Sequence, residues 1–267
     1  MFIINFDPVF LSLGPLTIYW YGVSYVVSLL LGAWYVQYLV KQHQLPIAPE
    51  HIDRFVGWMI GGVIVGGRLG HVLFYDLTYY CHNPLQIFMT WKGGMSFHGG
   101  LVGAVAVAFL FCKQYKIHPW VFGDLLAAAT PIGLGFGRVA NFINQELYGT
   151  VTSLPWGCVF LRVDNFSRHP SQLYEAFLEG FMLFFILFVL WVKKIPLKKP
   201  GICIGVFLFL YGIFRFCVEF VREPEGFFFF LTTGQALSLP MMGAGMVVLI
   251  VSIKANHFEN RLPCSKA

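Results

Sequence analysis

The sequence predicts an all-α polytopic membrane protein: seven transmembrane helices with a small outward loop region. Three observations carry that prediction. Apolar residues make up 57% of the 267 positions and charged ones 12%, too little polar surface for a soluble domain of this length. Apolar stretches of roughly 20 residues, the length that crosses the hydrocarbon of a bilayer, recur seven times along the chain. Basic residues collect at alternating ends of those stretches.

The spans are expected at 16–40, 54–75, 97–115, 120–140, 171–192, 201–222 and 235–254, forming a single transmembrane domain over 1–267. The first holds Tyr21 about a turn inside its start and ends at Lys41. No basic residue precedes Lys41, so the charged head of a cleavable signal peptide is missing, and this span should stay in the mature protein. The second carries Gly57, Gly61, Gly62, Gly66, Gly67 and Gly70, the small-residue steps that let helices approach closely. Arg68 sits inside that stripe and needs an anionic or a carbonyl partner. The segment 76–96 is rich in aromatics and suits the headgroup layer.

His98 opens the third span, followed by glycines at 99 and 100. The fourth has Gly133 and Gly137 before Arg138. The loop 141–170 is long enough to be functional or to form a small subdomain, and "SLPWGCVFLRV" reads as a strand pair or an interfacial element. Lysines 193, 194, 198 and 199 close the fifth span, the sixth carries Tyr211, Arg215 and Glu219, and the seventh ends at Lys254.

Eleven basic residues (Lys41, Arg54, Lys113, Lys116, the four lysines after the fifth span, Lys254, Arg261 and Lys266) fall on one side, which is therefore the cytoplasm. The opposite loops hold Lys92, Arg162, Arg168 and Arg222, so the N-terminus is outside and the C-terminus inside. The net charge of +5 then belongs to a face near anionic lipid and not to a nucleic-acid surface. The six cysteines show no metal-ligand spacing. Cys81 and Cys158 share the outer side, where a disulfide is chemically permitted, but free thiols are the preferred reading.

Depth separates structural from functional polar residues. At 1.5 Å of rise per residue, Arg68 lies about 21 Å above Arg54, and Arg215 about 21 Å above Gly201, with Tyr211 a turn below and Glu219 a turn above. Arg138, His98 and Tyr21 also fall near the outer ends of their spans, which predicts an outward polar cavity at the lipid interface. Arg68, Arg138 and Arg215 against Glu219 and Glu146 leave that cavity positive, suited to a phospholipid phosphate, while Asn141 and Asn144 add hydrogen bonds to hydroxyls. His98 reads as a general base, a phosphate contact, or a histidine satisfied by water at a helix end. Arg215 with Glu219 also reads as an intrahelical pair that only stabilises the bundle.

Five segments in order, "WYGVSY" at 20–25, "GGMSFHGGLVG" at 93–103, "GRVANFINQELYG" at 137–149, "RHPSQLYEAFLEG" at 168–180 and "YGIFRFCVEFVREP" at 211–224, closely resemble the phosphatidylglycerol:prolipoprotein diacylglyceryl transferase family. The resemblance implies transfer of diacylglycerol from phosphatidylglycerol to the lipobox cysteine of a prolipoprotein signal peptide, with release of glycerol phosphate. This would be the first step of bacterial lipoprotein maturation. It implies a bacterial inner (cytoplasmic) membrane location with a periplasmic N-terminus, and no metal, other cofactor or nucleic acid. Carried over by motif, His98, Arg138, Arg215, Glu219 and Tyr21 are the catalytic set. Arg138, Asn141, Arg68, Tyr211 and Gly149 are the phospholipid-binding set. Two rivals compete: an anion or lipid transporter with an outward arginine-lined cavity, which needs polar groups continuing inward, and an intramembrane serine protease, for which Ser96 and His98 lack a GxSxG context.

Overall fold

A computed structural model describes residues 2–14 and 16–254. Arg261, Lys266, Cys264 and the C-terminus expected on the cytoplasmic side lie outside the described residues. Among the described residues, six helices are long and apolar enough to cross a membrane: Trp20–Gln42, Pro49–Phe74, Phe97–Tyr115, Pro119–Asn144, Ser171–Val192 and Thr233–Lys254. The shorter apolar helix Ile202–Val218 takes the place of the sixth expected span. The protein is a polytopic membrane protein, with the spans in the predicted order and shifts at their ends.

Local chemistry sets the ends. The first span begins at Trp20 because Leu16–Tyr19 is drawn into an antiparallel hairpin with Val9–Leu13. Pro49 starts the second span where its missing N–H costs nothing. Ser96 caps the third, its hydroxyl accepting from Gly99 N at 3.3 Å, and Lys116 ends it in the left-handed region. The fifth span is continuous but turns π-helical over Ala176–Met182. The sixth stops at Val218, short of the expected 222, because the following residues pair elsewhere: Thr150 N donates to Val221 O, and Glu223 N to Tyr148 O.

The chain divides into two compact units, Val40–Phe122 and the remainder. In Val40–Phe122 the second and third spans touch backbone to backbone. A methyl group added at Gly70 would lie 2.7 Å from Gly99 Cα, and one at Gly66 2.8 Å from Gly103 Cα, so the glycine stripe is a close-packing seam. Phe55, Phe111 and Phe122 close the other end, with Phe55 4.8 Å from Phe122 between ring centroids.

In the other unit, "SLPWGCVFLRV", expected as a strand pair or an interfacial element, supplies one strand, Cys158–Phe160, whose antiparallel partner Ser167–Arg168 lies beyond that segment. Its parallel partner, Phe2–Ile4, was not foreseen. Ile4, Cys158 and Phe160 form a small core against Phe142, Tyr148 and Val163. The fourth span meets the fifth through Gly135 and Gly180: a methyl on Gly180 would sit 2.7 Å from Gly135 Cα. The expected pair, Gly133 and Gly137, is looser, with Ser28 Cβ at 3.7 Å from the first and nothing near the second. At the end of the fourth span away from Arg138, fully buried Asp124 accepts from Gly201 N at 2.7 Å and Ile204 N at 3.0 Å. One carboxylate thus satisfies two of the amides that a helix N-terminus leaves open, and its charge suits the helix dipole.

Candidate active site

The close approach of Gly135 and Gly180 explains the charge cluster one turn further on. It brings Arg138 against Glu175 and Glu179, two carboxylates four residues apart that are both fully buried. Arg138 Nη2 lies 3.2 Å from Glu179 Oε2, and its Nε 3.3 Å from Glu175 Oε2. Arg215, from the sixth span, reaches Glu175 Oε1 through Nη1 and Glu219 Oε2 through Nη2 at 2.9 Å. Arg222 adds a third guanidinium, its Nη1 3.0 Å from Glu175 Oε1 and its Nη2 2.7 Å from Glu225. The electrostatic neighbours of Tyr211 are Glu179, Arg138, Arg215 and Glu175. Glu219 is buried against the first turn of the seventh span, where a methyl on Gly234 would meet its carboxylate carbon at 2.5 Å.

This geometry corrects the expected charge balance. Arg138, Arg215 and Arg222 face four carboxylates, buried Glu175, Glu179 and Glu219 and exposed Glu225, so the cluster has no formal positive surplus. Glu175, Glu179 and Arg222 were passed over as site residues. The signal that finds them is two glutamates at i and i+4 in an otherwise apolar span, too costly to bury without cationic partners. Arg138 Nη1 carries no side-chain or backbone partner among the described residues, so it keeps hydrogen-bonding capacity for an added anion.

Asn141, one turn beyond Arg138, donates to Glu146 Oε1 at 2.8 Å, and Asn144 donates to the same oxygen at 3.3 Å. Glu146 faces a cavity of about 810 Å³ that is also lined by Tyr21, Thr17, Tyr19, Asn144 and Arg162. Tyr21 and Asn144 thus line one cavity, and Arg162 joins them there. Arg138 and Arg215 are not among its lining residues. The turn that carries Glu146 is fixed from the fifth span: Gln172 Nε2 donates to Glu146 O at 2.7 Å and Ser171 Oγ to Leu147 O at 3.0 Å. Gly149 is a packing junction, where a methyl would meet Val221 O and His169 Cβ at 2.5 Å. Its carbonyl accepts from Arg168, whose salt bridge holds Asp164 below the usual carboxylate range. Burial pushes His169, on the same strand end, below the usual histidine pKa, which favours the neutral ring at pH 7.

Arg68 and His98 belong to the Val40–Phe122 unit. All five N–H donors of Arg68 point at main-chain carbonyls: Ile87 O at 2.8 Å from Nε, Gly93 O at 2.6 Å and Gly94 O at 3.0 Å from Nη1, Gln86 O at 2.6 Å and Met89 O at 3.4 Å from Nη2. Of the two partners foreseen, the carbonyl one is realised. Arg68 anchors the 86–94 segment, and all of its donors are engaged there. His98 is exposed in the first turn of the third span, above the glycine seam. It borders an apolar cavity of about 780 Å³ walled by the second and third spans. The described cysteines (Cys81, Cys112, Cys158, Cys203 and Cys217) are all free thiols, so Cys81 and Cys158 form no bridge.

Residues 8–251 match the family model described as prolipoprotein diacylglyceryl transferase. A phosphatidylglycerol–prolipoprotein diacylglyceryl transferase of Brucella anthropi is 49% identical over 254 residues, covering 91% of this chain and 90% of its own length. Proteins of the same description from Brucella canis and Brucella suis biovar 1 are each 49% identical over 251 residues, covering 90% of this chain and 89% of theirs.

Proposed function

The chain belongs to the prolipoprotein diacylglyceryl transferase family, and from that premise we propose how its buried charge cluster serves the reaction. The protein transfers the diacylglyceryl group of phosphatidylglycerol to a prolipoprotein, and the acceptor is the thiol of the lipobox cysteine in the signal peptide. The thiol sulfur attacks the glycerol carbon that bears the phosphate ester. A carbon–sulfur bond forms, the carbon–oxygen bond breaks, the electron pair leaves on glycerol phosphate, and the thiol proton is given up to a base or to that leaving group.

The observation that carries this reading is the convergence of Arg138 and Arg215 on one shared buried carboxylate, Glu175, with donor capacity left over. Charge grows on the departing phosphate, and preorganised guanidiniums in a water-poor site stabilise that charge where it develops. Tyr211 lies beside them, while Tyr21, Asn141, Asn144 and Glu146 supply the hydroxyl and amide groups suited to a glycerol headgroup. Glu219 holds Arg215 in place, and Gly149 holds the 149–150 segment against 168–169 and 221–222. His98 acts as the base or positions the substrate. A cysteine thiol is already a few per cent thiolate at pH 7, so a base assists without being obligatory. The basic bias along the chain supports an inner-membrane protein with a periplasmic N-terminus and a cytoplasmic C-terminus.

A transporter reading lacks an inward station in the same helices: buried Asp124 is committed to the amides of Gly201 and Ile204. Purified protein incubated with phosphatidylglycerol and a lipobox peptide should add one diacylglyceryl mass to the peptide cysteine, read by mass spectrometry. A peptide with Ser in place of that cysteine should gain nothing, and an enzyme variant with its six cysteines replaced should remain active. A diacylglyceryl adduct on the enzyme during turnover would contradict direct transfer.

A further inference from the structure

We infer that Glu175 is a positioning residue that sets both the spacing and the charge of the arginine cluster, so that the site binds phosphate without trapping the phosphate product. This rests on the diacylglyceryl-transfer reading above. Each guanidinium has a carboxylate of its own: Arg138 has Glu179, Arg215 has Glu219 and Arg222 has Glu225. All three share Glu175. Its Oε1 takes Nη1 of Arg215 and, at 3.0 Å, Nη1 of Arg222, while its Oε2 lies 3.3 Å from Arg138 Nε. Among the described residues, no other carboxylate contacts all three. The arginines come from the fourth span, the sixth span and the segment after the sixth, so Glu175 is the common point that gathers them.

The side chain is fully buried within the π-interrupted fifth span, and the amides and hydroxyls of that helix are used elsewhere. Removing a carboxylate shared by three largely buried guanidiniums takes away their common anchor and raises the net charge of the cluster by one, with little solvent to screen the change. Like charges then separate, and the two guanidiniums proposed to hold one phosphate no longer share a fixed spacing. The same rise in charge favours any anion in the site. Substrate phosphodiester and product phosphate monoester both gain, and such uniform tightening does not speed the chemical step. With Glu175 ionised, the incoming phosphate competes with an internal carboxylate for the arginines, and that carboxylate regains them when the product leaves.

The test compares wild type with Glu175→Gln and Glu175→Asp, measuring kcat, KM for phosphatidylglycerol and inhibition by added glycerol phosphate. For Glu175→Gln the expected result is a kcat lower by roughly tenfold or more, a KM that does not rise, and glycerol phosphate inhibition at roughly tenfold lower concentration. Glu175→Asp keeps the charge on a shorter arm, so kcat should fall while inhibition stays at the wild-type concentration; it carries the test alone if the Gln variant does not fold. A purely structural role would lower the folded yield and leave the inhibition constant unmoved. Unchanged inhibition in Glu175→Gln, or a wild-type kcat in Glu175→Asp, overturns the inference. Wild-type protein that transfers no diacylglycerol rejects the underlying reading instead, and this inference with it.

Discussion

Arg68 and Arg138 are both arginines set among glycines in apolar helices, and the protein uses them in opposite ways. Arg68 spends every donor on neutral main-chain carbonyls of residues 86–94. Arg138 and Arg215 are held by carboxylates, and Arg138 leaves Nη1 without a partner among the described residues. A guanidinium saturated by carbonyls is an anchor: nothing added to it improves on what it has. One held by carboxylates is already an anion site, and an incoming phosphate can exchange with or join the anions present. The glycines follow the same division. Gly66, Gly70, Gly99 and Gly103 make a seam that binds two helices, whereas Gly135 with Gly180 makes a single crossing that delivers Arg138 to its glutamates.

The sharpest way to break this contrast is to keep the charge of a carboxylate-held arginine and remove its fork. Arg215→Lys should lower transfer by about 10²–10³-fold, the usual cost of losing a preorganised donor to developing negative charge, with the protein still folded. A wild-type rate would remove Arg215 from the phosphate site. Next in size is the glycine seam. Gly70→Val should destabilise the packed helix pair by about 1–3 kcal/mol, because its Cβ meets Gly99 main chain that has no freedom to move aside. Thermal unfolding measures this, and no change in stability would show that the seam is not tight. The smallest effect concerns His98. If it is the base, His98→Gln should lose activity at pH 7 and recover part of it by pH 8, where the ionised fraction of a free thiol of pKa about 8.5 has risen roughly eightfold. The same fractional loss at both pH values would assign His98 to positioning.

The contrast also marks what was legible in the sequence. Six long apolar helices, the shorter one at Ile202–Val218 and their order follow from apolar length, and one strand, Cys158–Phe160, falls where a strand was allowed; these are local properties. Phe2–Ile4 was not legible as a strand because its partner lies more than 150 residues away in parallel register, a pairing that no local pattern encodes. Arg138, Arg215, Tyr211 and Glu219 were found because ionisable groups in apolar helices are expensive and demand a reason. The same rule applies to Glu175 and Glu179, but both lie in "RHPSQLYEAFLEG", whose apolar run reads as an ordinary span. Their spacing marks them as costly, but their arginine partners are visible only through the Gly135–Gly180 crossing, which pairs residues 45 apart. Arg68 shows the limit from the other side. Depth and charge made it look like its counterparts, and only the path of the 86–94 backbone shows that its donors are occupied.

The central claim, that carboxylate-held arginines handle the phosphate while the carbonyl-held one anchors a loop, is tested most directly by measuring diacylglyceryl transfer for Arg138→Lys and Arg68→Lys side by side at matched folded concentration. The account predicts a loss of about 10²-fold or more for Arg138→Lys with folding intact. For Arg68→Lys it predicts a rate per folded molecule within about threefold of wild type, with faster hydrogen exchange across residues 86–94. Wild-type transfer by Arg138→Lys, or a folded Arg68→Lys protein with transfer lost and exchange across 86–94 unchanged, would contradict it.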